Sequence, residues 1–594
     1  MLIYWIRFTE NFIDKMISSK FWIFIFMFIW CFMNVVECSA VTCKPAYIYA
    51  DHMVLQREPH GAVLWGYTDP GFSVNVTLKG VNHVSKGKAD PCEPNVGIWK
   101  VVLPPQPAGG PFTIDITCFD GQGNWSSIQL QDILFGDVWL CSGQSNMAMA
   151  VSQALNGTAE LAASVNYPNV RVLSVKADVS YTPYYDLNST ASLYHPWAKP
   201  DPDSLGVNAV ENYTYFSAVC WFYGRDLYDT YKVPMGMIST NWGSTPIQPW
   251  SSPDVFNSCV ENATKADVTK SRCASETEKE FEYKPYFKND TVLWNAMIHP
   301  FVNMTIKGAI WYQGESNTFL GTDTYSCFFQ AMISDWRQKW YAGSSQQTNP
   351  LFPFGFVQIS TSWVPQFGVI NNYPVIRWHQ TNDVGYVPNA GMPNVFMAVA
   401  LDLSDPESPY GAIHPRYKQD VAARLVQAAR VVAYQEKGVI YQGPFPTKFN
   451  VDSQEETIDV QYNNKGSGPI RLVGPLNNTF EVCCSNYTEC QENDTWIDTT
   501  VTAWTGLYSI RMNYTCEDLD AVAIRYLWSD YPCTFKNCPV YNQDGFLPAP
   551  PFWLPLDYSV SIGNSAVKFG GFKFLICFCH VFLFACFYFP LGRY

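Results

Sequence analysis

Five short apolar runs, spread along the middle of the chain with helical patterns between or after them, restrict the fold more than any other feature. The runs are Asp137–Cys141, Met235–Ser239, Ala309–Tyr312, Phe354–Ile359 and Phe396–Leu401. Helical patterns cover Asn146–Leu155, Phe216–Thr230, Tyr325–Tyr341 and Arg416–Gln435. A strand that is apolar along its whole length must be covered on both faces. Strands of that kind alternating with helices imply an α/β fold, a parallel sheet with helices on both sides. In such a sheet the chemistry gathers beyond the carboxyl ends of the strands.

The character differs on either side. Residues 41–130 read as short strands, such as Met53–Gln56, Ala62–Trp65 and Val74–Leu78, broken by turns at Asp69-Pro70-Gly71 and Ala108-Gly109-Gly110-Pro111. This spacing predicts a small β-sandwich. The α/β part is placed at 131–437. Strand and turn signals return over 438–560, at Val439–Tyr441, Ile458–Tyr462, Ile470–Val473 and Ala521–Trp528, and predict a second β-rich module.

The ends read as targeting segments. Lys20, the apolar run Phe21–Val36 and the small residues Ser39-Ala40 have the outline of a secretory signal within residues 1–40, with Met16 as an alternative start. Residues 561–594 carry an apolar stretch, Phe574–Phe589, open to three readings: a GPI-attachment signal, a membrane tail or a misassigned gene end. Twelve N-x-S/T sequons support export. So does cysteine arithmetic. Of 19 cysteines, setting aside those of the two end segments leaves 14, an even number. Cys483, Cys484, Cys490, Cys516, Cys533 and Cys538 should staple the C-terminal module. Secretion is therefore expected, with a lysosomal or extracellular destination and membrane attachment through the tail as an option. Zinc is not expected, because no His lies at ligand spacing from these cysteines. Net charge is −14 and basic residues never cluster, which argues against nucleic acid as a partner.

The strongest chemical candidate follows the first sheet strand: Ser142-Gly143-Gln144-Ser145-Asn146-Met147. A serine at a strand-to-helix turn projects from the sheet edge, and its N–H joins the unpaired donors of a helix start. The alternative is that Ser145 only caps the helix. Of eight histidines, His414 sits in a strand-end loop, Gly411-Ala412-Ile413-His414-Pro415, where a general base belongs. His299 lies in an apolar stretch and reads as packed. A third strand end, Trp311-Tyr312-Gln313-Gly314-Glu315-Ser316-Asn317, offers side-chain amides as oxyanion donors, with Glu315 read as structural.

Together these motifs resemble the sialate O-acetylesterase family within the SGNH-hydrolase superfamily. The resemblance runs from about residue 47 to 435. It rests on Met53-Val54-Leu55-Gln56-Arg57, on Gly136 to Met147, on Asn241-Trp242-Gly243-Ser244-Thr245-Pro246-Ile247-Gln248-Pro249-Trp250, on Trp311 to Asn317, and on Ile413-His414-Pro415 followed by Lys418. It implies an SGNH-hydrolase-like three-layer α/β/α sandwich and a serine esterase that removes O-acetyl groups from sialic acids without metal or organic cofactor. By the same resemblance Ser145 is the nucleophile and His414 its base. The N–H of Ser145, the backbone at Gly243 and the amide of Gln313 are oxyanion donors, and Asn317 is a further candidate. Gly243-Ser244 stands where the family often has Gly-Gly.

The superfamily often has Asp three residues before the histidine, but this chain has Gly411 there. Asp402, or alternatively Asp405, is expected to fold back onto His414. The other possibility is a backbone carbonyl in that place and a Ser–His dyad. A sialate carboxylate calls for a cation, and Arg377 or Arg416 is the candidate. Competing readings are an acetylesterase for another glycan such as xylan, a lipid esterase, and a glycan-binding protein that has lost catalysis.

Overall fold

A computed structural model describes residues 41–206, 216–260, 286–361, 372–462, 467–490 and 494–559. The expected signal segment, the apolar tail and the sequons at Asn212, Asn262 and Asn493 lie outside the described residues. Within them, no helix is long and apolar enough to cross a membrane.

The central sheet contains β1 (Trp125–Gly143), β2 (Val170–Val175), β3 (Leu193–Ala198), β4 (Met235–Asn241), β5 (Gly308–Tyr312), β6 (Phe354–Gln358) and β7 (Val395–Val399). Its order is β3-β2-β4-β1-β5-β6-β7. Pairing is parallel throughout except at the edge, where β3 runs antiparallel to β2. Strands β2, β5, β6 and β7 are buried at every residue, and the last three accordingly read as apolar runs, whereas β2 buries Arg171 and Ser174 along its length. The main helices are α1 (Ala218–Tyr231), α2 (Tyr325–Gly343) and α3 (Lys418–Val432).

Register explains why three distant motifs meet. Gly143 at the end of β1 pairs with Asn241 of β4 on one side and with Tyr312 of β5 on the other. The segments that follow, Gln144-Ser145, Trp242-Gly243 and Gln313-Gly314, therefore leave the sheet side by side at its carboxyl edge.

Strand β1 also crosses the boundary expected at residue 130. Its first half pairs antiparallel with Gly109–Phe119, and its second half lies in the parallel sheet. Four N-terminal strands thus continue into one 11-stranded sheet, while four others form a separate four-stranded sheet. The join is fastened at Asp137, which is 1% exposed and accepts from Gln56, Arg57 and Tyr434. The Gln-Arg pair of the first motif therefore has a local purpose: it neutralises a buried carboxylate on β1.

Two local expectations are corrected. The helix expected over Asn146–Leu155 stops after Ser145–Ala148. The Ala150 N–H goes to the Gln153 side chain, and Ala150 bridges to Ser217 before α1, so tertiary packing overrides the apolar period. The strand expected at Val439–Tyr441 does not form, because the Ile440 carbonyl is taken by the Gln427 side chain of α3. Beyond it, seven antiparallel strands between Pro446 and Pro555 form a separate sheet.

All six expected C-terminal cysteines pair with one another, as Cys483–Cys490, Cys484–Cys516 and Cys533–Cys538. Cys43–Cys118, Cys141–Cys220 and Cys259–Cys327 staple the rest, the second of them joining β1 to α1 just before the Ser145 turn. Disulfides in this number belong to an oxidising lumen or the cell exterior. Most described sequons are solvent-accessible, but Asn303 is 5% exposed and accepts from Lys100 at 2.8 Å.

Candidate active site

The turn after β1 is held by its own sequence. Gly143 adopts φ +144°, and a Cβ there would lie 2.2 Å from the Tyr312 carbonyl oxygen. Only glycine fits both the torsion and the contact. Gln144 then donates its N–H to Tyr312, while its side-chain oxygen accepts from the N–H groups of Gly314 and Ser316. Gly143→Ala should lower kcat/KM for an aryl acetate about 100-fold or more by displacing this turn. Parent-like turnover would show that the turn is not held as tightly as these contacts imply.

Ser145 is 7% exposed, and its Oγ lies 2.9 Å from Nε2 of His414. On the other side of the ring, Nδ1 lies 2.7 Å from the Tyr410 carbonyl. A carbonyl only accepts, so Nδ1 carries the proton and Nε2 is left to receive that of the serine. Burial, opposed by the Tyr410 hydrogen bond and reinforced by the nearby Lys418 charge, holds the imidazole below its ordinary pKa.

Gly243 comes close to the same serine. A Cβ on it would sit 3.4 Å from the Ser145 Cβ. Among the described residues, the N–H groups of Ser145 and Gly243 have no protein acceptor. Ser244, where the family often has glycine, takes φ +60°, the left-handed conformation that glycine adopts without cost.

Several expected residues are engaged elsewhere. Asp402 does not turn to His414. It is fully buried, accepts from both terminal nitrogens of Arg424 at 2.6 and 2.9 Å, and accepts from the Tyr541 hydroxyl. Asp405 is held by the Arg416 backbone and guanidinium, which also occupies Arg416. Arg377 is no substrate cation. It is 0% exposed and donates to the carbonyls of Ile359, Ser360, Ser529 and Asp530, clamping α/β and C-terminal segments together. Gln313 directs its amide protons to the Thr245 carbonyl and Asn317, leaving neither for an oxyanion. Asn317 in turn accepts from the Ile247 N–H and donates to Gln248 and Leu320. This amide pair braces the loop that carries Gly243. His299 is packed against the Tyr184 carbonyl, as its apolar setting implied.

Two side chains gained importance only in three dimensions. Asn146 donates to Glu315 at 2.5 Å and to the Ile413 carbonyl at 2.9 Å, and accepts from Lys418 at 2.6 Å. Lys418 is the first residue of α3 and falls on the stripe of Val421, Ala422 and Leu425, all of them buried. A lysine on the apolar stripe of an amphipathic helix was the signal available in the sequence.

Fold and site together define an α/β carbohydrate esterase. Two family models match the chain: the carbohydrate esterase, sialic acid-specific acetylesterase, over residues 135–408, and the sialate O-acetylesterase C-terminal domain over residues 447–556. Sialate O-acetylesterase of Mus musculus is 43% identical, over 84% of this chain and 92% of that protein. The Homo sapiens protein of that name is 41% identical, over 85% and 91%. Among solved structures, a carbohydrate acetylesterase from Xanthomonas citri has a TM-score of 0.66 and 26% identity, covering 86% of this chain and 99% of that one. The chain belongs to the sialate O-acetylesterase family.

Proposed function

We propose that the chain hydrolyses O-acetyl esters of sialic acids, 9-O-acetyl sialate among them, through an acyl-enzyme on Ser145. The observation that carries the reading is the 2.9 Å contact between Ser145 Oγ and His414 Nε2 at the carboxyl edge of the sheet. His414 takes the hydroxyl proton as Oγ attacks the acetyl carbonyl. The N–H groups of Ser145 and Gly243 receive the developing oxyanion. The Tyr410 carbonyl steadies the imidazolium, in the place where other enzymes of this kind use a carboxylate. His414 then protonates the departing sugar oxygen, and water releases acetate by the reverse sequence. No metal is called for in these steps.

The same reading assigns the central sheet with its helices to a three-layer α/β/α esterase domain, approximately 131–437, between β-rich parts at 41–130 and 438–560. Its supports are the strand order and the family models on either side of residue 440. A lysosomal or extracellular site of action fits the disulfides and sequons. Purified protein should release acetate from 9-O-acetylated sialic acid. An enzyme that cleaves aryl acetates and leaves the sialate ester intact would keep the chemistry and remove the substrate.

The base must be neutral to accept the serine proton. Its pKa is pushed below the ordinary 6.5, first by burial, so it stays neutral as pH falls through that value. The acid limb of kcat/KM, which reports the free enzyme, is therefore expected below pH 6.5. A limb centred near neutrality or above would contradict this assignment of the base.

A further inference from the structure

We infer that Lys418 is a positioning residue of this site, holding the Ser145 turn against the His414 loop through the Asn146 carboxamide, with Glu315 as its counter-charge. The inference rests on the Ser145–His414 assignment proposed above.

The bridge is a closed ring of contacts. Asn146 follows Ser145 in the chain, and Ile413 precedes His414. The Asn146 amide donates to the Ile413 carbonyl at 2.9 Å while the Ser145 hydroxyl meets the imidazole at 2.9 Å. Two adjacent residues of the nucleophile turn thus grip two adjacent residues of the base loop. The amide itself cannot rotate freely. Its oxygen faces the Lys418 ammonium at 2.6 Å, and its nitrogen faces the Glu315 carboxylate at 2.5 Å and a carbonyl. The carboxamide dipole lies between a cation and an acid, and turning it over would set like against like.

Stability does not account for the lysine. Lys418 and Glu315 are 0% and 3% exposed. Burial lowers the Lys418 pKa to about 7, against the raising effect of Glu315 and Asp405, and burial raises that of Glu315. An ammonium in the first turn of α3 also lies at the positive end of the helix dipole. Its stem rests on the apolar stripe, with the ammonium 5.1 Å from the centre of the buried Tyr312 ring. A methionine or leucine would suit that stripe better on every count of burial. What a cation adds is the hold on Asn146 and a positive potential beside the base.

The other titratable groups on the surrounding elements are Arg416 with Asp405, Glu315, the phenols of Tyr410 and Tyr417, and Asp420 with Lys536 from the C-terminal part. Arg416 and Asp405 form a charge pair, as do Lys536 and Asp420. Burial is the main cause of the lowered imidazole pKa, and the Lys418 charge adds to it. Removing that charge should raise the pKa, so the base becomes protonated at higher pH and the acid limb moves up.

The test uses the full chain and an aryl acetate, with kcat and KM followed against pH. Lys418→Gln keeps a donor for Asn146 and removes the charge. Lys418→Met removes both. Both variants should shift the acid limb of kcat/KM upward. Lys418→Met should in addition lose about tenfold in kcat at the optimum with KM within about twofold, as loss of positioning requires. Both should fold, with a melting temperature lowered by no more than a few degrees, because Glu315 loses its counter-charge but burial already pushes its carboxyl towards the neutral form. An unmoved acid limb in Lys418→Gln overturns the inference while an inert Ser145→Ala leaves the nucleophile assignment standing. Failure of both lysine variants to fold also overturns it, since Lys418 would then be a stability residue. Turnover surviving in Ser145→Ala removes the assignment and the inference together.

Discussion

Folded Ser145→Ala is expected to lose roughly 10,000-fold or more in kcat for acetate release from O-acetylated sialic acid, with KM changed by only a few-fold. In the proposed mechanism the hydroxyl oxygen makes the new bond, so its loss removes covalent catalysis outright. The backbone donors at Ser145 and Gly243 are untouched by the substitution, and ester binding should persist. The side chain is 7% exposed and small, so the melting temperature should move little. A variant that stayed active would require a different nucleophile. The measurement is direct: acetate produced per folded molecule, with circular dichroism to establish the fold.

Asp402→Asn is expected to do the opposite, damaging the fold and sparing the chemistry. Asp402 is fully buried, and its carboxylate is the counter-charge of Arg424, whose side chain is 1% exposed. Asparagine keeps the shape and leaves a guanidinium buried without its anion. Breaking a buried pair from one side costs roughly 3 to 5 kcal/mol. The neighbouring contacts add to the loss, because the Tyr541 hydroxyl also donates to this carboxylate. Denaturant or thermal unfolding should register a midpoint several degrees lower. Activity per folded molecule should remain within about threefold at 25 °C, because the carboxylate serves Arg424 and the imidazole is held by Tyr410. A member of a catalytic triad would behave in reverse: turnover would fall about 10,000-fold with stability nearly unchanged. The two readouts therefore decide what Asp402 does.

The sequence could reach Ser145 and His414 because each sits at a strand end marked by local signals. For Ser145 these are an apolar run, a glycine and a change to helical spacing. For His414 they are a loop between a strand and a strongly periodic helix. It also singled out Gly243, which lies beside Ser145, and the six paired C-terminal cysteines, where residue type and compartment already limit the outcome. It misplaced the partners of Asp402 and Arg377. Proximity in the chain suggested His414 for one, and the need of a sialate carboxylate for a cation suggested substrate for the other, whereas Arg424 lies 22 residues from Asp402 and the Ser529 carbonyl lies 152 residues from Arg377. Buried charges take whichever partners the packing delivers, and strand-end position says nothing about which those are. Gln313 was misread for a similar reason: a side-chain amide suits an oxyanion and a loop brace equally well until its two acceptors are seen.

By itself, then, the chain determined the α/β class, the parallel run of the sheet and the three strand-end segments that meet at its carboxyl edge, since hydrophobic period and strand-end punctuation are local properties. Only the tertiary structure decided how those segments join. The pairing of Gly143 with both Asn241 and Tyr312 brings them to one edge. The Tyr410 carbonyl faces Nδ1 of His414. Lys418 reaches back across 272 residues to Asn146. Register and hydrogen-bond partners are settled by which surfaces must be covered and which buried polar groups must be satisfied, and both are properties of the whole fold.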